Sequence, residues 1–579
     1  MKRNLLLAFI AILAIPVHAQ KLDMEKLTGL NARSIGPSGM SGRVTAIDAI
    51  ETNPNTIYIG SASGGLWKTE SGGMEWTPLF DKEAVASIGA LNIYQANPDI
   101  IWVGTGEGNP RNSLNSGYGV YRSIDGGKTW ELKGLEKTRN IHRIIIDPTN
   151  PDIVYVGAIG SPWGPHPERG VYKTTDGGET WKQILFTNDL SGVGDMVMDP
   201  VNPNKLIVAM WEHQRWPWFL KSGGQGSGLY ITWNGGKNWK KLTEKEGLPK
   251  GEIGRIGLTI PKCNNKRIYA LIECSKNALY RSDDGGQTWI KMTDQNVSNR
   301  PFYYHEIHAD PMDPDRVYNL FSGISKSEDG GATFESMSTR SLHPDHHAWY
   351  INPLNNNFLI DGNDGGLGIS QDRGVTWRFV TNLPLGQFYH INWDLEFPYN
   401  VYGGLQDNGS WYGPGNVTQR GGIQYYHWQT VMGGDGFDMM ADSSDNRFGY
   451  AMSQGGSVGR FDRQTGDTKD IQPIHPDGKK LRFNWNSAIA HDPFQKTTIY
   501  FGSQFLHKST DRGDNWVLIS PDLTTNDSTK LKQNKTGGLT YDITGAETHC
   551  TIIAISPMRT WAHSVRLHFG PSSSFSFKV

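Results

Sequence analysis

Three histidines and an aspartate lie within one short stretch of the chain, at His343, Asp345, His346 and His347. Imidazole nitrogens and carboxylate oxygens are ligands that Zn²⁺ and other transition metals accept. Adjacent residues of a strand point to opposite faces, so His346 and His347 cannot both reach one ion unless the strand bulges. We therefore predict no metal site and no cofactor, and expect a hydrogen-bonded polar network here.

Trp, His and Arg side chains are concentrated in three insertions, 107–116, 161–169 and 211–227. Flat aromatic rings beside Arg and Glu suit the C–H faces and hydroxyl edges of sugars, and the same mixture suits a peptide. The alternative is that these aromatic rings pack each insertion against itself. The predicted ligand-binding residues are Trp163, Trp211, His213, Arg215, Trp216 and Trp218, with His343, Asp345 and His346 from the histidine stretch.

An eight-residue box recurs along the chain, and its clearest copy runs from Ser123 to Trp130. The aspartate at its third position can accept backbone N–H groups across a tight turn. The glycines that follow permit positive φ, and the closing Trp can pack between sheets. Two copies carry Ser71 and Asn234 in place of the aspartate. We predict that these aspartates brace turns and are not catalytic: Asp125, Asp176, Asp284, Asp329, Asp372 and Asp511.

The spacing of the boxes predicts the architecture. The first seven copies follow one another at about 43–58 residues, a period typical of propeller or solenoid arrays. Four short strands per unit favour an all-β, multi-bladed β-propeller. We predict a seven-bladed propeller in residues 20–385, an incomplete second propeller in residues 386–556, and an irregular, truncated tail in residues 557–579. A single ten-bladed ring is the alternative.

Composition and the N-terminus limit the partners. The net charge of −2 gives no long-range field that would attract nucleic acid or an anionic membrane, so we expect neither as a partner. Residues 1–19 combine Lys2 and Arg3 with an apolar run and a small-residue cleavage site, as a secretory signal does. We therefore predict a secreted or periplasmic protein with no membrane span.

The chain has three cysteines, Cys263, Cys274 and Cys550. The first two could close one disulfide and leave the third unpaired. Three free thiols are the alternative.

The repeated box resembles the Asp-box, or bacterial neuraminidase repeat. That repeat is shared by sialidases, xyloglucanases of glycoside hydrolase family 74, sortilin-type receptors and photosystem assembly factors. The match runs from about Arg33 to Trp516 and is specific for the fold, not for an activity. The stretches 104–107, 343–347, 404–409 and 434–437 also look like secreted bacterial sortilin-like or xyloglucanase-like proteins. This resemblance adds Gln406 and Asp407 to the predicted ligand-binding residues.

The resemblance also indicates candidate acids. The xyloglucanase-like enzymes use two aspartates, as acid and base, in a cleft between two propellers. Ala62 stands where the first would be, whereas Asp435 stands in a stretch that resembles the second. Asp364 occupies in its unit the strand end that Ala62 occupies in the first unit, and Glu107 lies near that place in the second. The alternative for each carboxylate is the capping of a glycine turn.

Inversion at a sugar needs two carboxylates, so Ala62 argues against the family's hydrolysis. Three functions therefore stay open. The first is the binding of polysaccharide, with or without hydrolysis, in the manner of the xyloglucanases. The second is non-catalytic binding of an extended peptide or a protein, as in sortilin. The third is a scaffold role in the cell envelope.

Overall fold

Short runs of Val, Ile and Tyr, bounded by Gly and by Asn-Pro or Asp-Pro turns, form strands throughout the protein. The computed structural model describes residues 26, 29–30, 33–36, 41–297, 300–535, 537–539, 544–558, 564–568 and 574–578. The predicted leader, residues 1–19, lies outside them. Residues 1–35 and 36–579 are two separate units, and all the sheets belong to the second.

The strands of the first seven sheets follow in chain order. Sheets 1 to 3 contain β1 (Val44–Ile50), β2 (Asn53–Ser61), β3 (Leu66–Thr69) and β4 (Thr77–Pro78); β5 (Ile88–Ile93), β6 (Ile101–Thr105), β7 (Val120–Ser123) and β8 (Glu131–Leu132); β9 (Ile141–Asp147), β10 (Asn150–Ala158), β11 (Gly170–Thr174) and β12 (Lys182–Leu185). Sheet 4 contains β13 (Ser191–Met198), β14 (Leu206–Trp216), β15 (Phe219–Ser222), β16 (Gly228–Thr232) and β17 (Lys240–Lys241). Sheets 5 to 7 contain β18 (Ile256–Thr259), β19 (Ile268–Ile272), β20 (Ala278–Ser282) and β21 (Ile290–Thr293); β22 (Glu306–Ala309), β23 (Val317–Leu320), β24 (Ile324–Ser327) and β25 (Glu335–Ser336); β26 (His346–Ile351), β27 (Leu359–Asn363), β28 (Gly366–Ser370) and β29 (Arg378–Phe379).

Four more sheets follow. Sheets 8 to 10 contain β30 (Phe388–Trp393), β31 (Asn400–Leu405), β32 (Gly409–Pro414) and β33 (Gln429–Met432); β34 (Gly436–Ala441), β35 (Phe448–Ser453), β36 (Val458–Asp462) and β37 (Thr468–Asp470); β38 (Ile489–His491), β39 (Ile499–Gly502), β40 (Leu506–Ser509) and β41 (Val517–Leu518). The short β42 (Gly537–Gly538) adds to β15 of sheet 4, and sheet 11 contains β43 (Ala554–Met558), β44 (Ser564–His568) and β45 (Ser574–Lys578). The described 3₁₀ helices include Glu136–Thr138, Glu244–Glu246, Tyr425–His427, Gln454–Gly456 and Gln533–Lys535.

The first strands of sheets 1 to 7 pack against one another in order, and β26 of sheet 7 returns to pack against β1. These seven sheets are therefore the blades of a closed ring, and the prediction of an all-β, multi-bladed β-propeller is confirmed. The alternative of a single ten-bladed ring is wrong because sheet 7 meets sheet 1. The domain boundaries at residues 385 and 556 stay a prediction.

The hydrophobic core is divided into layers between neighbouring sheets. One layer joins sheets 7 and 1 through Ile360, Leu367, Val44 and Ile59, and comparable layers fill the other gaps of the ring. Each of the seven sheets of the ring is therefore stabilised by a neighbour on each of its faces.

The boxes form the turns that the sequence predicts. In the copy at Asp125, the carboxylate accepts the Thr129 N–H at 2.9 Å and the Thr129 hydroxyl at 2.6 Å. These bonds lower the pKa of Asp125 to about 2. Asn234 accepts the equivalent N–H from Asn238 at 3.0 Å, so an amide performs the same bracing.

Two sets of hydrogen bonds join neighbouring sheets. At the outer edge, box tryptophans donate to the preceding sheet: Trp181 to Lys133 O (2.6 Å), Trp239 to Ile184 O (2.9 Å) and Trp516 to Ile471 O (2.7 Å). At the inner edge, a side chain of one first strand accepts an N–H from the next: Asp48 from Ile93 (2.8 Å), Asn92 from Ile146 (3.0 Å), Asp195 from Leu258 (2.7 Å) and Thr259 from Ala309 (2.9 Å). These bonds set the spacing of the blades.

One further expectation needs correction, and one open alternative is decided. The tail is not irregular at 564–568 and 574–578, because β44 pairs there with β43 and β45 pairs with β44. The alternation of polar and apolar residue types at 574–578 is the period-two signal that its unusual composition obscured. Of the two alternatives for the cysteines, the structure has the three free thiols, with Cys263 exposed and Cys274 and Cys550 buried. In the described parts of the chain, no helix is long and apolar enough to cross a membrane.

Asp48 supplies a test of the inner hydrogen bonds. Burial raises the pKa of its carboxyl to about 7, despite the N–H groups of Ile93 and Ala49. Between about pH 4 and 7 the Asp48 carboxyl therefore loses its proton in the unfolded chain but keeps it in the folded protein. The free energy of unfolding falls by about 2–4 kcal/mol as the pH rises through this range. Asp48→Asn should remove this dependence, because Asn92 already fills the equivalent place in sheet 2.

The measurement is thermal unfolding from pH 4 to 8. The variant should unfold at a higher temperature than the parent at pH 8, and the two should converge near pH 4.5. Equal midpoints across this range would contradict a raised pKa at Asp48.

Candidate functional site

A buried arginine organises the centre of the ring. Arg43 immediately precedes β1, and its side chain is fully buried. Its Nε lies 2.8 Å from Glu107 Oε1, and its Nη1 lies 3.3 Å from Asp364 Oδ1 and also donates to the Tyr303 hydroxyl. Its Nη2 donates to Gln406 Oε1 at 3.4 Å. One guanidinium thus joins sheets 1, 2, 7 and 8 with the segment that leads into sheet 6.

The candidate acid Asp364 is held as a carboxylate. His347 Nε2 lies 2.9 Å from its Oδ1, and the Tyr303 hydroxyl donates to its Oδ2 at 2.6 Å. Burial alone would raise the pKa of Asp364, but Arg43 and His347 hold it well below its usual range. A buried carboxylate that already accepts these donors is poorly placed to exchange protons with a ligand.

The pKa of Glu107 is shifted in the opposite direction from that of Asp364. Its side chain is fully buried, and burial raises the pKa of its carboxyl even though Arg43 lies beside it. It lies in the first insertion, and its backbone carbonyl accepts a hydrogen bond from Asn140 Nδ2 at 2.8 Å. Both acids therefore belong to the buried network.

The third candidate acid, Asp435, interacts with Asp407. Asp435 Oδ1 accepts the backbone N–H of Asp407 at 3.0 Å, and Asp407 adopts a left-handed conformation with φ of 59°. Burial raises the pKa of both carboxyls, and Asp364 raises them further, while Arg111 opposes the shift. Asp407 directly follows Gln406 in the chain, and the pair lies on the side of sheets 8 and 9.

The histidine stretch does form a polar network. His346 Nδ1 lies 2.9 Å from both oxygens of Asp361, whereas His347 turns to Asp364. The two rings therefore have different partners, at a point where the pairing of β26 with β27 shifts register between His346 and Ala348. His343 Nε2 lies 3.3 Å from the carbonyl oxygen of Asp407, and Asp345 has φ of 67°. Within the described ranges, no group of three or more His, Cys, Asp or Glu side chains could hold a metal ion.

The three insertions contact one another. The Arg215 N–H donates to Pro162 O at 2.8 Å, and the Arg215 guanidinium contacts Asn112 at 2.9 Å and Glu547 at 2.9 Å. The insertions of sheets 2, 3 and 4 thus meet each other and a segment that follows sheet 10. Arg215 is buried in an ion pair, so its predicted ligand-binding role is corrected to a structural one.

The predicted binding aromatics separate into three environments. Trp211 and His213 stack at 4.2 Å in the core, and Trp211 Nε1 donates to Ser222 at 2.9 Å, so neither is available to a ligand. His346 is equally buried. Trp163 is exposed, and Trp216 packs on Phe219. Trp218 alone among these tryptophans lines a large cleft.

That cleft has a volume of about 750 Å³ and lies between the ring and the later sheets. We call it the aromatic cleft. Its lining is aromatic and amide-rich: Trp218, Phe388, Tyr389, Phe437 and Trp485; Asn112, Asn115, Gln387, Gln406, Asn484 and Asn486; and Ser63, Ser113, Pro217, Leu523, Thr524, Thr525, Lys530, Ala546, His549, Cys550, Thr551 and Ile553. None of these described lining residues is an aspartate or a glutamate.

The acids and the cleft are neighbours without being the same site. Ser63 in the lining follows Ala62, and Phe437 in the lining follows Asp435 by two positions. Gln406 connects the two regions, because its Oε1 accepts from Ser113 at 2.7 Å and from Arg43. The buried charged network therefore contacts the cleft lining through Gln406.

The sequence analysis missed the residues Asn484, Trp485 and Asn486. Two amides around one tryptophan form a local signal that could have been recognised as a sugar-binding pattern. They lie just before sheet 10, outside the three insertions.

Parts of this sequence are similar to known proteins. A family model described as sortilin, neurotensin receptor 3, matches residues 118–248. The xyloglucanase Xgh74A of Acetivibrio thermocellus is 22% identical over 357 residues, which cover 53% of this chain and 39% of the relative. An oligoxyloglucan-reducing end-specific xyloglucanase of Emericella nidulans is 25% identical over 293 residues, covering 42% of this chain and 35% of that protein.

A solved structure extends the likeness. The GH74 xyloglucanase from Xanthomonas campestris superimposes with a TM-score of 0.50 at 14% identity, covering 94% of this chain and 99% of that one. This likeness shows the fold. The chain is similar to sortilin and to xyloglucanases. The predicted resemblance is therefore confirmed, although the matches span about two fifths or less of the curated relatives' length.

Arg43→Met should test the buried network. The substitution leaves Glu107 and Asp364 without their cation, and breaking a buried ion pair in this way costs about 3–5 kcal/mol. Arg447→Met is the matched control, because the Arg447 side chain is 43% exposed and pairs with Asp462 at 2.5 Å. Loss of an exposed pair costs about 1 kcal/mol or less.

Thermal unfolding of both variants measures the difference. The midpoint temperature of the first unfolding transition should fall much further for Arg43→Met than for Arg447→Met. Similar shifts in the two variants would show that the buried network does not stabilise the ring.

Proposed function

We propose that this protein binds a neutral polysaccharide chain in the aromatic cleft and does not hydrolyse it. The observation that carries the proposal is the lining, in which five aromatic rings and six amide side chains meet with no carboxylate among the described residues. Aromatic faces can stack on the C–H faces of sugars, while amides donate to and accept from hydroxyl groups.

The size of the cleft supports this assignment. Its volume of about 750 Å³ lies within the range of ligand pockets. One wall of the cleft comes from the insertion of sheet 2 and from Trp218. The opposite wall comes from sheets 8 to 10 and the segment after them. A polymer could therefore lie between the ring and the later sheets.

The positions of the carboxylates argue against hydrolysis. Glycosidases place two carboxyl groups on either side of the scissile bond, about 5 Å apart or about 6.5–9.5 Å apart. Ala62 supplies no carboxylate, and Asp435 is buried with one oxygen engaged by Asp407. Asp364 and Glu107 share Arg43 in the interior. We therefore propose that the xyloglucanase-like fold binds polysaccharide here without hydrolysing the glycosidic bond.

The relatives are named as xyloglucanases, so xyloglucan is the first ligand to try. We further propose that the protein acts outside the cytoplasm, which rests on the signal-like composition of residues 1–19.

Trp485→Ala and Trp218→Ala should each weaken xyloglucan binding about tenfold, because a lost aromatic platform costs about 1.4 kcal/mol. Trp163→Ala is the control, since Trp163 is exposed but does not line the cleft. Affinity electrophoresis in gels that contain xyloglucan, with calorimetry for the dissociation constant, measures the effect.

The proposal fails if the two cleft variants migrate like the parent, or if Trp163→Ala loses binding to the same extent. It also fails on hydrolysis if the parent releases reducing ends from xyloglucan and Asp435→Asn, in an intact fold, does not.

A further inference from the structure

Another cavity lies at the opposite end of the ring from Arg43. Its volume of about 480 Å³ is within the range of small-molecule pockets. Its walls come from the ends of the first strands of sheets 1, 2, 3, 6 and 7 and from the turn after the first strand of sheet 5. Arg43 precedes β1, so the length of that strand, at about 3.3 Å per residue, separates it from this cavity. We call this cavity the axial pocket.

The charges that line the axial pocket are unequal. Two carboxyl groups, those of Asp48 and Glu51, lie there with one ammonium group, that of Lys262. His308 also lines the pocket, but burial lowers the pKa of its imidazole to about 4, so this ring is neutral near pH 7. When both carboxyl groups are ionised, one negative charge therefore has no counter-charge in the described lining.

The Lys262 side chain shows that the pocket accepts a cation. Lys262 follows sheet 5, yet its Nζ lies 2.6 Å from Glu51 Oε1 in the turn after β1. The same ammonium group opposes the rise that burial causes in the pKa of Asp48, so it acts on both carboxyl groups. Because the Lys262 side chain is 55% exposed, this ion pair is weak and a competing cation can displace it.

The remaining lining suits the organic part of such a cation. Tyr94, Trp349 and Tyr350 line the pocket, and aromatic rings attract ammonium groups through their faces. The Tyr350 hydroxyl and His308 Nε2 are buried with no hydrogen-bond partner among the described residues. A metal ion fits less well, since no cluster of three or more His, Cys, Asp or Glu in the described parts of the chain could hold one.

We propose that the axial pocket binds a small organic cation, an alkylammonium whose charged group pairs with Glu51 and Asp48 in place of Lys262. The alkyl chain lies against the aromatic rings, and a second polar group on the ligand bonds to the Tyr350 hydroxyl or to His308 Nε2. The proposal does not depend on polysaccharide binding, because the axial pocket and the aromatic cleft share no lining residue.

Isothermal titration calorimetry with cadaverine, a linear diamine, tests the proposal. The titration is made at about pH 8.5, because Asp48, with a pKa of about 7, is ionised there. The parent should bind one cadaverine per chain with a dissociation constant below about 1 mM. Pentanol, which has the same chain length and no charge, should not bind.

Two substitutions should change the affinity for cadaverine in opposite directions. Glu51→Gln removes a carboxylate and should weaken binding about tenfold. Lys262→Met removes the competing ammonium group and should strengthen binding by up to about fivefold. Glu70→Gln is the matched control, because Glu70 pairs with Lys68 at 2.7 Å outside the axial pocket, and it should leave the affinity unchanged.

Near-ultraviolet circular dichroism checks that each variant keeps the parent's fold. If Glu51→Gln loses the fold, the direction of the change in Lys262→Met decides alone. A parent that does not bind millimolar cadaverine overturns the proposal, as does equal binding of pentanol. Weaker binding by Lys262→Met, or unchanged binding by a folded Glu51→Gln variant, also overturns it. Weaker binding by Glu51→Gln together with tighter binding by Lys262→Met supports it.

Discussion

The burial of the Arg43 guanidinium is the constraint on which the rest of the site depends. An arginine cannot lose its charge in the interior, so every donor needs an acceptor that the fold brings to it. Glu107, Asp364 and Gln406 supply those acceptors from sheets 2, 7 and 8. Two ion pairs therefore join sheets 2 and 7 of the ring through Arg43, and a hydrogen bond to Gln406 joins the same guanidinium to sheet 8, beside the aromatic cleft.

This constraint changes how the acids should be understood. Carboxylates that resemble catalytic groups in the sequence serve here as partners of buried cations and backbone donors. Asp364 is the clearest case, because Arg43, His347 and Tyr303 all engage it. The cleft in front of them is lined by neutral side chains together with Lys530 and His549. A scaffold shared with hydrolases can in this way present a binding surface while its charged groups stabilise the fold.

The sequence predicted the fold well because its signals are local. Each box closes its own turn through bonds between residues four apart, as between Asp125 and Thr129, so eight residues suffice to recognise it. The absence of an acid at Ala62 was equally visible. The site was predicted poorly because its contacts are distant. Arg215 meets Glu547 across 332 positions, and composition alone cannot tell the buried Trp211 from Trp485 in the cleft.

The central claim is that polysaccharide occupies the cleft between the ring and the later sheets. Alkylation of a Thr525→Cys variant in the presence of xyloglucan tests its location most directly, because position 525 is exposed and lines the cleft, whereas Cys263 is exposed elsewhere on the ring. The account predicts that saturating xyloglucan slows the modification of the cysteine at position 525 and leaves that of Cys263 unchanged. Equal rates at position 525 with and without bound polysaccharide would contradict it.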